Sequence, residues 1–389
     1  MVERTAMIVG AGIGGLAAAI ALRQAGWRVQ VFERAEAPRE LGFALSLAPN
    51  AMAALRELGL AERLLAEGHL PASVEIRRTD GRVLRHLQVP AQAAGSTVTP
   101  AVIALRPVLH GALLDAVGPE ALVLGSEATG FAIGRGRTTL VLADGRTIAG
   151  DVIIGADGVG SAIRRCLRPA DPPPRRSGYV AIRGVAHDAA HLLGDLSAIS
   201  YQGPGVEAAV ARASRSAVYW FMSLLASDVG AAPSSATAVL ARFATSMDPL
   251  FTSVVRSTRV EDLRLDELFD RDPIDQWGAG VVTLLGDAAH PMLPHAGQGA
   301  AQALEDAVSL GMALRTGSDI AASLRKYERV RSARTGKIVN SARRIAKITT
   351  TRNAAIGWLR TAAVRLLPRR AMLDAFLLEG QPDPYRQLR

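Results

Sequence analysis

The N-terminal pattern of apolar and glycine positions predicts a strand, a tight turn, a helix and a second strand. Residues 6–9 form a short apolar run typical of a buried strand, and the glycine-rich segment 10–15 follows directly. Residues 16–22 are leucine, isoleucine and alanine, which suit a helix. Residues 28–32 alternate like a strand, which ends at Glu33. The pattern therefore predicts one strand–turn–helix–strand unit followed by an acid.

This unit has the order and spacing of a dinucleotide-binding fingerprint. Gly10 permits the tight turn, Gly12 lets the backbone approach a pyrophosphate, and Gly15 lets the helix pack closely on the strand. The N–H groups of this helix N-terminus, which includes Gly14, favour phosphate, and Glu33 can accept hydrogen bonds from a ribose. A tight turn that opens an ordinary helix is the alternative, but the complete unit favours an adenine dinucleotide.

Later parts of the chain alternate between hairpins and strand-to-helix turns. Residues 74–87 and 139–148 each predict a hairpin with an Asp-Gly turn. A helix is expected to start at Arg106, whose side chain could bind a phosphate or simply be solvated. A buried strand at 151–155 leads to Asp157 and then to another helix. A cofactor contact and an ordinary helix cap explain this Asp-Gly turn equally well.

The second half of the chain changes character after a proline-rich break at 169–174. Residues 179–225 form short β-like segments that suit an antiparallel sheet. A buried strand at 281–285 then feeds the segment 286–306, which begins with an acid, continues as a proline- and glycine-rich loop and ends in a helix. The N-terminus of that helix can hold an electron-rich oxygen with backbone N–H groups.

Composition and charge restrict the function further. The 389 residues can bury a large core, and two domains are expected. The net charge of +9 is uneven: residues 321–389 hold 16 Lys+Arg against 4 Asp+Glu, so the excess belongs to the tail and does not argue for nucleic acid. That tail could contact an anionic surface, but a solvated helix face is the favoured interpretation. A single cysteine, Cys166, fits a reducing cytoplasm, and no apolar run reaches the ~18 residues of a transmembrane helix.

Three separated stretches, 10–33, 157–158 and 286–306, resemble in the same order the single-component (group A) FAD-dependent aromatic hydroxylases, the group of p-hydroxybenzoate and salicylate hydroxylases. The resemblance implies an α/β fold in which a Rossmann-like FAD-binding domain of the glutathione-reductase type has an inserted β-sheet substrate domain and a helical C-terminus. We place the FAD-binding domain at 1–73, 98–175 and 278–345, the substrate domain at 74–97 and 176–277, and a basic helical tail at 346–389.

The resemblance implies that FAD is the cofactor. It suggests that Arg106 lies at the cofactor phosphates and ribityl chain, that Asp157 belongs to a motif implicated in both FAD and nicotinamide binding, and that Asp287 holds the ribityl hydroxyls. The predicted cofactor contacts are Gly10, Gly12, Gly14, Gly15, Glu33, Arg34, Ala44, Arg106, Asp157, Asp287, Gly297, Gly299 and Ala300.

Two loops are expected to enclose the flavin ring. Residues 42–50 resemble the loop on one side, while Pro294 and residues 297–300 resemble the loop whose backbone N–H groups stabilise negative charge on the reduced ring. Ala44 and Ala301 stand where glycine and asparagine, respectively, are frequent in the family. Both alanines are small, so FAD binding is still expected, without the hydrogen bond that an asparagine at 301 would supply.

The resemblance also implies a reaction. NADH or NADPH would reduce FAD and leave, dioxygen would form a flavin hydroperoxide, and an electron-rich ring, usually a phenol, would attack it. The predicted substrate pocket lies between the β-rich region and the flavin loops. Its catalytic candidates are Tyr219, Arg183, His295 and Pro294, and His290 is a further polar candidate, although each is more often structural. Arg183 or a histidine could pair with a carboxylate or phenolate, and Tyr219 could orient a phenol.

Two alternatives remain open at this point: a flavin epoxidase or reductase of the same fold, and a non-catalytic flavoprotein that senses redox state or binds a partner. Halogenases share the fold, but their tryptophan-rich motif is missing because the four tryptophans are scattered. The expected partners are a small aromatic substrate and dioxygen, without a metal, nucleic acid or stable membrane insertion. A cytoplasmic monomer or homodimer is expected.

Overall fold

The computed structural model describes residues 4–37, 43–89, 100–134, 137–230, 235–317, 319–369, 371–372, 385 and 388. Gly42 and parts of the segments 74–97 and 346–389 lie outside the described residues. The strands are β1 (Thr5–Val9), β2 (Arg28–Phe32), β3 (Ala44–Leu47), β4 (Ser73–Arg78), β5 (Val83–Gln88), β6 (Val102–Leu105), β7 (Leu122–Val123), β8 (Ala128–Ile133), β9 (Thr138–Leu142), β10 (Thr147–Gly150), β11 (Val152–Gly155), β12 (Arg175–Ala186), β13 (Ala198–Gly203), β14 (Val206–Arg212), β15 (Val218–Leu225), β16 (Arg264–Asp270) and β17 (Val282–Leu284). The α-helices are α1 (Ile13–Gln24), α2 (Pro49–Glu57), α3 (Ala61–Glu67), α4 (Arg106–Val117), α5 (Ala162–Leu167), α6 (Ala226–Val229), α7 (Ala236–Phe243), α8 (Pro249–Arg256), α9 (Gly299–Thr316), α10 (Ile320–Thr349) and α11 (Ala354–Leu366).

A five-stranded parallel sheet, in the order β17-β11-β1-β2-β7, forms the centre of the larger half of the molecule. Its middle strand is the first apolar run of the sequence, and Ala6, Met7 and Ile8 have no exposed surface. Parallel sheets are covered on both faces, which is why such strands are continuously apolar rather than alternating. The predicted strand–turn–helix–strand unit is confirmed.

Helices α1 and α9 pack closely because small residues line their contact. A Cβ atom at Gly311 would lie 2.8 Å from the carbonyl oxygen of Ala21, and one at Gly14 would lie 3.3 Å from the Cβ atom of Ala303. These two contacts, one near each end, show that the helices run parallel. Both N-termini therefore lie at the carboxyl ends of the parallel strands, where ligands bind in open α/β sheets.

A seven-stranded sheet, in the order β16-β12-β15-β14-β13-β4-β5, forms the second half. It is antiparallel except where β4 lies parallel to β13, so the predicted 74–87 hairpin extends this sheet. In β15, Trp220 and Met222 are buried in a core with Phe251 of α8, whereas Tyr219 and Phe221 point to the opposite face. That opposite face is turned towards the parallel-sheet half. The boundaries of the two proposed domains stay a prediction.

The C-terminal helices connect the two halves. Helix α10 has 30 residues and continues past the predicted boundary at 345. Near its start the hydroxyl of Tyr327 donates to the carbonyl of Leu284 in β17, at 3.1 Å. At its end the hydroxyl of Thr349 donates to Glu207 in β14, at 2.7 Å. The expected helical C-terminus is confirmed, and no helix in the described ranges is both long and apolar enough to cross a membrane.

A buried arginine joins α10 to the beginning of α9. Arg331 has no exposed surface; its Nε donates to Asp306 and its Nη1 to Glu305, both at 2.6 Å, and its Nη2 donates to the side chain of Gln302 at 2.7 Å. Burial by itself would raise the pKa of both carboxyl groups, but the charge of Arg331 and its cationic neighbours lowers it. The ion pairs therefore fix the first two turns of α9 in place.

Replacing Arg331 with alanine would leave two buried carboxylates without their main cation. We expect the free energy of unfolding to fall by about 3–5 kcal/mol, because an uncompensated buried charge is costly. Urea denaturation followed by circular dichroism measures the change.

The matched control is Arg329→Ala on the same helix, where the side chain is exposed. Its free energy of unfolding should change by no more than about 0.5 kcal/mol. If Arg331→Ala lost no more stability than this control, the buried ion pairs would not be important for the fold.

Candidate active site

The glycine turn between β1 and α1 has one open side and one closed side. Gly10 has φ +102°, and a Cβ atom there would lie 2.5 Å from the carbonyl oxygen of Ala156. A Cβ atom at Gly15 would lie 1.9 Å from the carbonyl oxygen of Gly10, so these two glycines are required by packing. A Cβ atom at Gly12 would have no atom of another part of the chain within 4 Å, and among the described residues no side chain caps α1. Its free N–H groups therefore face open space, which fits a pyrophosphate.

Glu33 lies at the end of β2 beside this turn. Its two carboxylate oxygens accept hydrogen bonds from the backbone N–H groups of Ala11, at 2.9 Å, and Ala35, at 3.0 Å. Each oxygen retains a free lone pair for a ribose hydroxyl. Arg34 is exposed beside it, and the roles of both residues at a cofactor stay predictions. His110 of α4, which the sequence analysis did not single out, lies with its Nε2 2.8 Å from the carbonyl oxygen of Ala11 and supports the turn.

The Asp157 carboxylate caps α5. It accepts hydrogen bonds from the Ser161 hydroxyl and from the backbone N–H groups of Ala162, at 2.7 Å, and Ile163, at 3.2 Å. The helix-cap explanation of the Asp-Gly turn is thus what the structure shows, and a role in cofactor binding stays a prediction. Arg164 of the same helix donates to the carbonyls of residues 288 and 289, so this turn is attached to the loop that contains Asp287.

Asp287, in the turn after β17, and Arg106, at the start of α4, are both exposed and close enough for their charges to interact, and the solvent-open region that they border is called the cleft below. The Asp287 side chain is open to the cleft but otherwise surrounded by protein, and this burial raises its pKa, while the charges of His290 and Arg106 oppose the shift. Burial likewise lowers the pKa of Arg106, Asp287 opposes that shift, and the charge of Arg183 adds to it. A carboxylate and a guanidinium are therefore both available to hydroxyl and phosphate groups in this cleft.

The loop before α9 exposes the helix N-terminus. Pro294 is exposed at the start of a short 3₁₀ turn, and Gly297 has φ +61°, a left-handed conformation that favours glycine. Within the part of the chain that the structure describes, no side chain caps α9 or accepts a hydrogen bond from the N–H groups of Gly299 and Ala300. The amide of Asn50 donates to Glu305 at 2.6 Å and ties the segment after β3 to this helix.

His290 does not belong to the open cleft surface. Its Nε2 lies 2.6 Å from an Asp306 carboxylate oxygen, its side chain is 2% exposed, and its ring centroid is 5.3 Å from that of Trp277. The expectation that it could contact a substrate is therefore not supported. The local sequence could not show this, because Asp306 lies 16 residues further along the chain.

An aromatic face on the seven-stranded sheet brings two predicted residues together. The ring centroid of Phe43 lies 6.2 Å from that of Tyr219 and 5.1 Å from the guanidinium carbon of Arg183. Phe221 continues the face, 6.3 Å from Tyr219, and Asp266 forms an ion pair with Arg183. Burial raises the pKa of Tyr219 to about 12, so its hydroxyl stays protonated near neutral pH and acts as a hydrogen-bond donor.

Phe43, Phe221 and Asp266 were not predicted as site residues. Phe221 lies on a strand that the sequence did identify, and its alternation with buried Trp220 was a usable signal. Phe43 and Asp266 join the face only because separate segments of the chain meet there.

His295 lies further along the same side of the sheet, where it contacts Ser223, two residues after Phe221 in β15. Its Nε2 is 3.1 Å from the hydroxyl of Ser223 and 3.7 Å from Glu207, and its ring centroid is 5.2 Å from that of Tyr179. The side chain is 1% exposed, and burial lowers its pKa to about 4, so the ring is neutral near pH 7. These contacts pack the loop before α9 onto the sheet, and a catalytic role for His295 stays a prediction.

A separate apolar cavity of about 250 Å³ lies on the opposite side of the same sheet. Met222 of the sheet and Phe251 of α8 contribute to its lining, together with residues of α7. None of the predicted site residues lines this cavity, so it is distinct from the candidate active site.

Comparison with known proteins agrees with the geometry in pointing to a dinucleotide cofactor. A family model described as an FAD binding domain matches residues 3–342. The chain is 36% identical to an aurachin C monooxygenase/isomerase from Stigmatella aurantiaca, over 93% of this chain and 94% of the relative. It is 31% identical to an FAD-dependent urate hydroxylase from Klebsiella pneumoniae subsp. pneumoniae, over 88% and 90% of the two chains. It is 33% identical to 3-hydroxybenzoate 6-hydroxylase 1 from Aquipseudomonas alcaligenes, over 85% and 86%.

Solved structures share the whole fold. Klebsiella pneumoniae HpxO in complex with FAD and uric acid has a TM-score of 0.88 at 27% identity, covering 96% of both chains. A salicylate hydroxylase substrate complex has a TM-score of 0.81 at 24% identity, covering 99% of this chain and 97% of the other, which shows the same fold. The predicted family resemblance, fold class and FAD cofactor are confirmed. The chain therefore belongs to the FAD-binding-domain family and is an FAD-dependent monooxygenase related to the aromatic hydroxylases.

Proposed function

We propose that this monooxygenase hydroxylates a small, electron-rich aromatic compound of the phenol type, with dioxygen and NADH or NADPH as co-substrates. The observation that supports this most strongly is that the aromatic face lies next to the cleft at the N-termini of α1 and α9. Phe43 contacts both Tyr219 and Arg183, and the charge of Arg183 in turn affects Arg106 in the cleft. An aromatic ring bound against this face would lie next to the cofactor cleft.

The cleft residues suit FAD. In this proposal the free N–H groups at the α1 N-terminus bind the pyrophosphate beside Gly12, Glu33 accepts from the adenosine ribose, and Asp287 and Arg106 bind the ribityl and phosphate groups. Bound FAD supplies the redox chemistry, because it accepts a hydride from the nicotinamide and activates dioxygen. The uncapped N-terminus of α9 contributes N–H groups and a partial positive charge that stabilise negative charge on the ring.

The substrate would be held by stacking and by hydrogen bonds. Phe43 and Phe221 supply ring surfaces, and the protonated hydroxyl of Tyr219 donates a hydrogen bond. The Nε of Arg183 is buried and has no hydrogen-bond partner among the described residues, so in this proposal it donates to a phenolate or carboxylate. The relatives named for urate and 3-hydroxybenzoate support an aromatic substrate with an acidic group.

The remaining parts of the proposal concern the cellular context. A cytoplasmic enzyme is proposed on the basis of the single cysteine, Cys166, which is exposed. That it is a monomer or homodimer stays a prediction. Product analysis would distinguish the two alternatives, because hydroxylation converts a ring C–H to C–OH, epoxidation adds the oxygen atom across an alkene as a three-membered ring, and saturation of a double bond adds no oxygen.

The glycine turn predicts the effect of Gly12→Val on FAD binding. The added side chain meets no protein atom but enters the space assigned to the pyrophosphate, so the fold should persist while FAD occupancy falls by roughly tenfold or more. Flavin absorbance of the purified protein and its thermal melting curve measure the two effects.

Gly111→Val is the matched control, because Gly111 lies inside α4 and a Cβ atom there would likewise have no other atom within 4 Å. It should retain normal FAD occupancy. Full occupancy in Gly12→Val would contradict the assignment of this turn to the pyrophosphate.

The aromatic face predicts that Arg183→Met raises the KM for acidic aromatic substrates. We expect a rise of roughly 10- to 100-fold, because a hydrogen bond to a charged group contributes about 1.5–3 kcal/mol. Reduction of the flavin by nicotinamide in the absence of substrate should stay unchanged, and steady-state kinetics with a panel of hydroxybenzoates measures the KM.

Arg176→Met on the same strand provides the control, since its side chain is 77% exposed. It should leave the KM unchanged. An unchanged KM in Arg183→Met for every acidic substrate that is turned over would remove Arg183 from the substrate site.

A single-component enzyme requires direct reduction of its flavin. The chain has one glycine fingerprint, assigned here to FAD, so NADH or NADPH is expected to bind transiently and to reduce the flavin faster when substrate is present. Anaerobic stopped-flow mixing with each nicotinamide, with and without phenols, measures the rate. If neither bleaches the flavin while an added reductase supports hydroxylation, the single-component proposal fails.

A further inference from the structure

The end of α10 and the whole of α11 expose an unusual number of large apolar side chains. Twelve large hydrophobic residues are exposed among the described residues, and half of them lie between positions 348 and 367. This group, called the apolar helix face below, consists of Ile348, Ile356, Trp358, Leu359, Leu366 and Leu367, with exposed fractions from 43% to 81%. Apolar residues scattered singly over a surface are ordinary, but a contiguous group indicates an interaction site.

The face follows from the way α11 packs. Val364 on one side of the helix is buried against Leu84 and Leu87 of β5, which leaves the other side towards solvent. Ile356, Leu359 and Leu366 recur at spacings of three and seven residues, so they form one stripe on that outer side. The helix therefore presents apolar residues to water on the side where a solvated helix has polar ones.

The apolar helix face is surrounded by positive charge. Residues 343–370 contain eight arginines and lysines and no acidic residue. Arg344 and Lys347 are exposed beside Ile348, and Arg365 is exposed on α11 next to Leu366. Arg360 donates from Nη1 to the carbonyl of Ile348, at 3.0 Å, which attaches α11 to the end of α10 and keeps the two parts of the face together.

We propose that the apolar helix face docks the enzyme on an anionic lipid membrane. Helices that lie in the membrane interface combine leucine and tryptophan on one side with basic residues at the edges, which is the arrangement found here. Helix α11 has 13 residues, fewer than the ~20 needed to cross a bilayer, so the fitting geometry is a helix lying in the membrane plane. A second copy of the chain is a poorer partner, because the same basic residues would face each other across the contact.

This surface function is separate from the proposed hydroxylation and is tested without turnover. Trp358 is 69% exposed, whereas Trp27, Trp220 and Trp277 are at most 4% exposed, so acrylamide quenching and any change in emission wavelength on adding lipid report mainly on Trp358. With vesicles of equal parts phosphatidylglycerol and phosphatidylcholine, the holoenzyme should sediment with the lipid, its emission should shift to the blue and quenching should fall. Vesicles of phosphatidylcholine alone should bind at least roughly tenfold less, because they lack the negative charge that attracts the basic residues around the face.

Two variants separate the apolar and ionic contributions. Leu359→Glu combined with Leu366→Glu, and Arg344→Glu combined with Arg365→Glu, should each lower vesicle binding by roughly tenfold or more while FAD content and thermal stability stay normal. Val260→Glu is the matched control, since Val260 is also 69% exposed but lies in a turn before β16. It should bind vesicles like the unmodified enzyme.

Three results would overturn the proposal. The first is equal binding of the unmodified enzyme and the double leucine variant to anionic vesicles. The second is a dimer in analytical ultracentrifugation that the double leucine variant dissociates, which would assign the face to a second copy. The third is protection of Trp358 from acrylamide in a lipid-free monomer, which would mean that the chain itself covers the face.

Discussion

The fully buried guanidinium of Arg331 fixes the position of the helix on which the candidate active site depends. It binds Asp306 and Glu305, two consecutive carboxylates near the start of α9, and Asp306 in turn accepts from the backbone N–H of Gly286 at 3.0 Å. One cation thereby orients both the helix N-terminus and the loop that contains Asp287. Because buried charges have no water to compensate them, this arrangement has little freedom to shift.

The close parallel packing of α1 and α9 is the second constraint, and it depends on glycine and alanine residues at the contact. Gly311 against Ala21, and Gly14 near Ala303, let the two helices approach until their N-termini share one end of the sheet. Two helix dipoles then point into the same cleft, one at the proposed pyrophosphate position and the other at the proposed ring position. The proposed cofactor site at the two helix N-termini thus consists largely of backbone N–H groups. Few side chains contribute to it.

The two faces of the seven-stranded sheet have different surroundings. One face packs Trp220 and Met222 against α8. The other face has two parts, one towards each end of its strands. Towards one end it holds Tyr219 and Arg183 in the aromatic face, and towards the other it is closed by His295. Alternation along a strand predicts which residues share a face, but which part of that face is closed depends on a loop that arrives from elsewhere in the chain.

The sequence by itself determined the first strand–turn–helix–strand unit, because its evidence is local: the apolar runs, the glycines at fixed spacing and the acid at Glu33 all lie within one short segment. It also identified the loop at Asp287, and it identified Arg183 and Tyr219 as candidates. Only the tertiary structure decided that Asp157 caps a helix and that His290 and His295 are buried. The groups that Asp157 binds are only four to six residues away, but the local sequence allowed either a helix cap or a cofactor contact there. The partners of His290 and His295 lie 16 and 72 residues away in the sequence, and a histidine in a sequence does not reveal whether its ring will meet a carboxylate, a hydroxyl or a ligand.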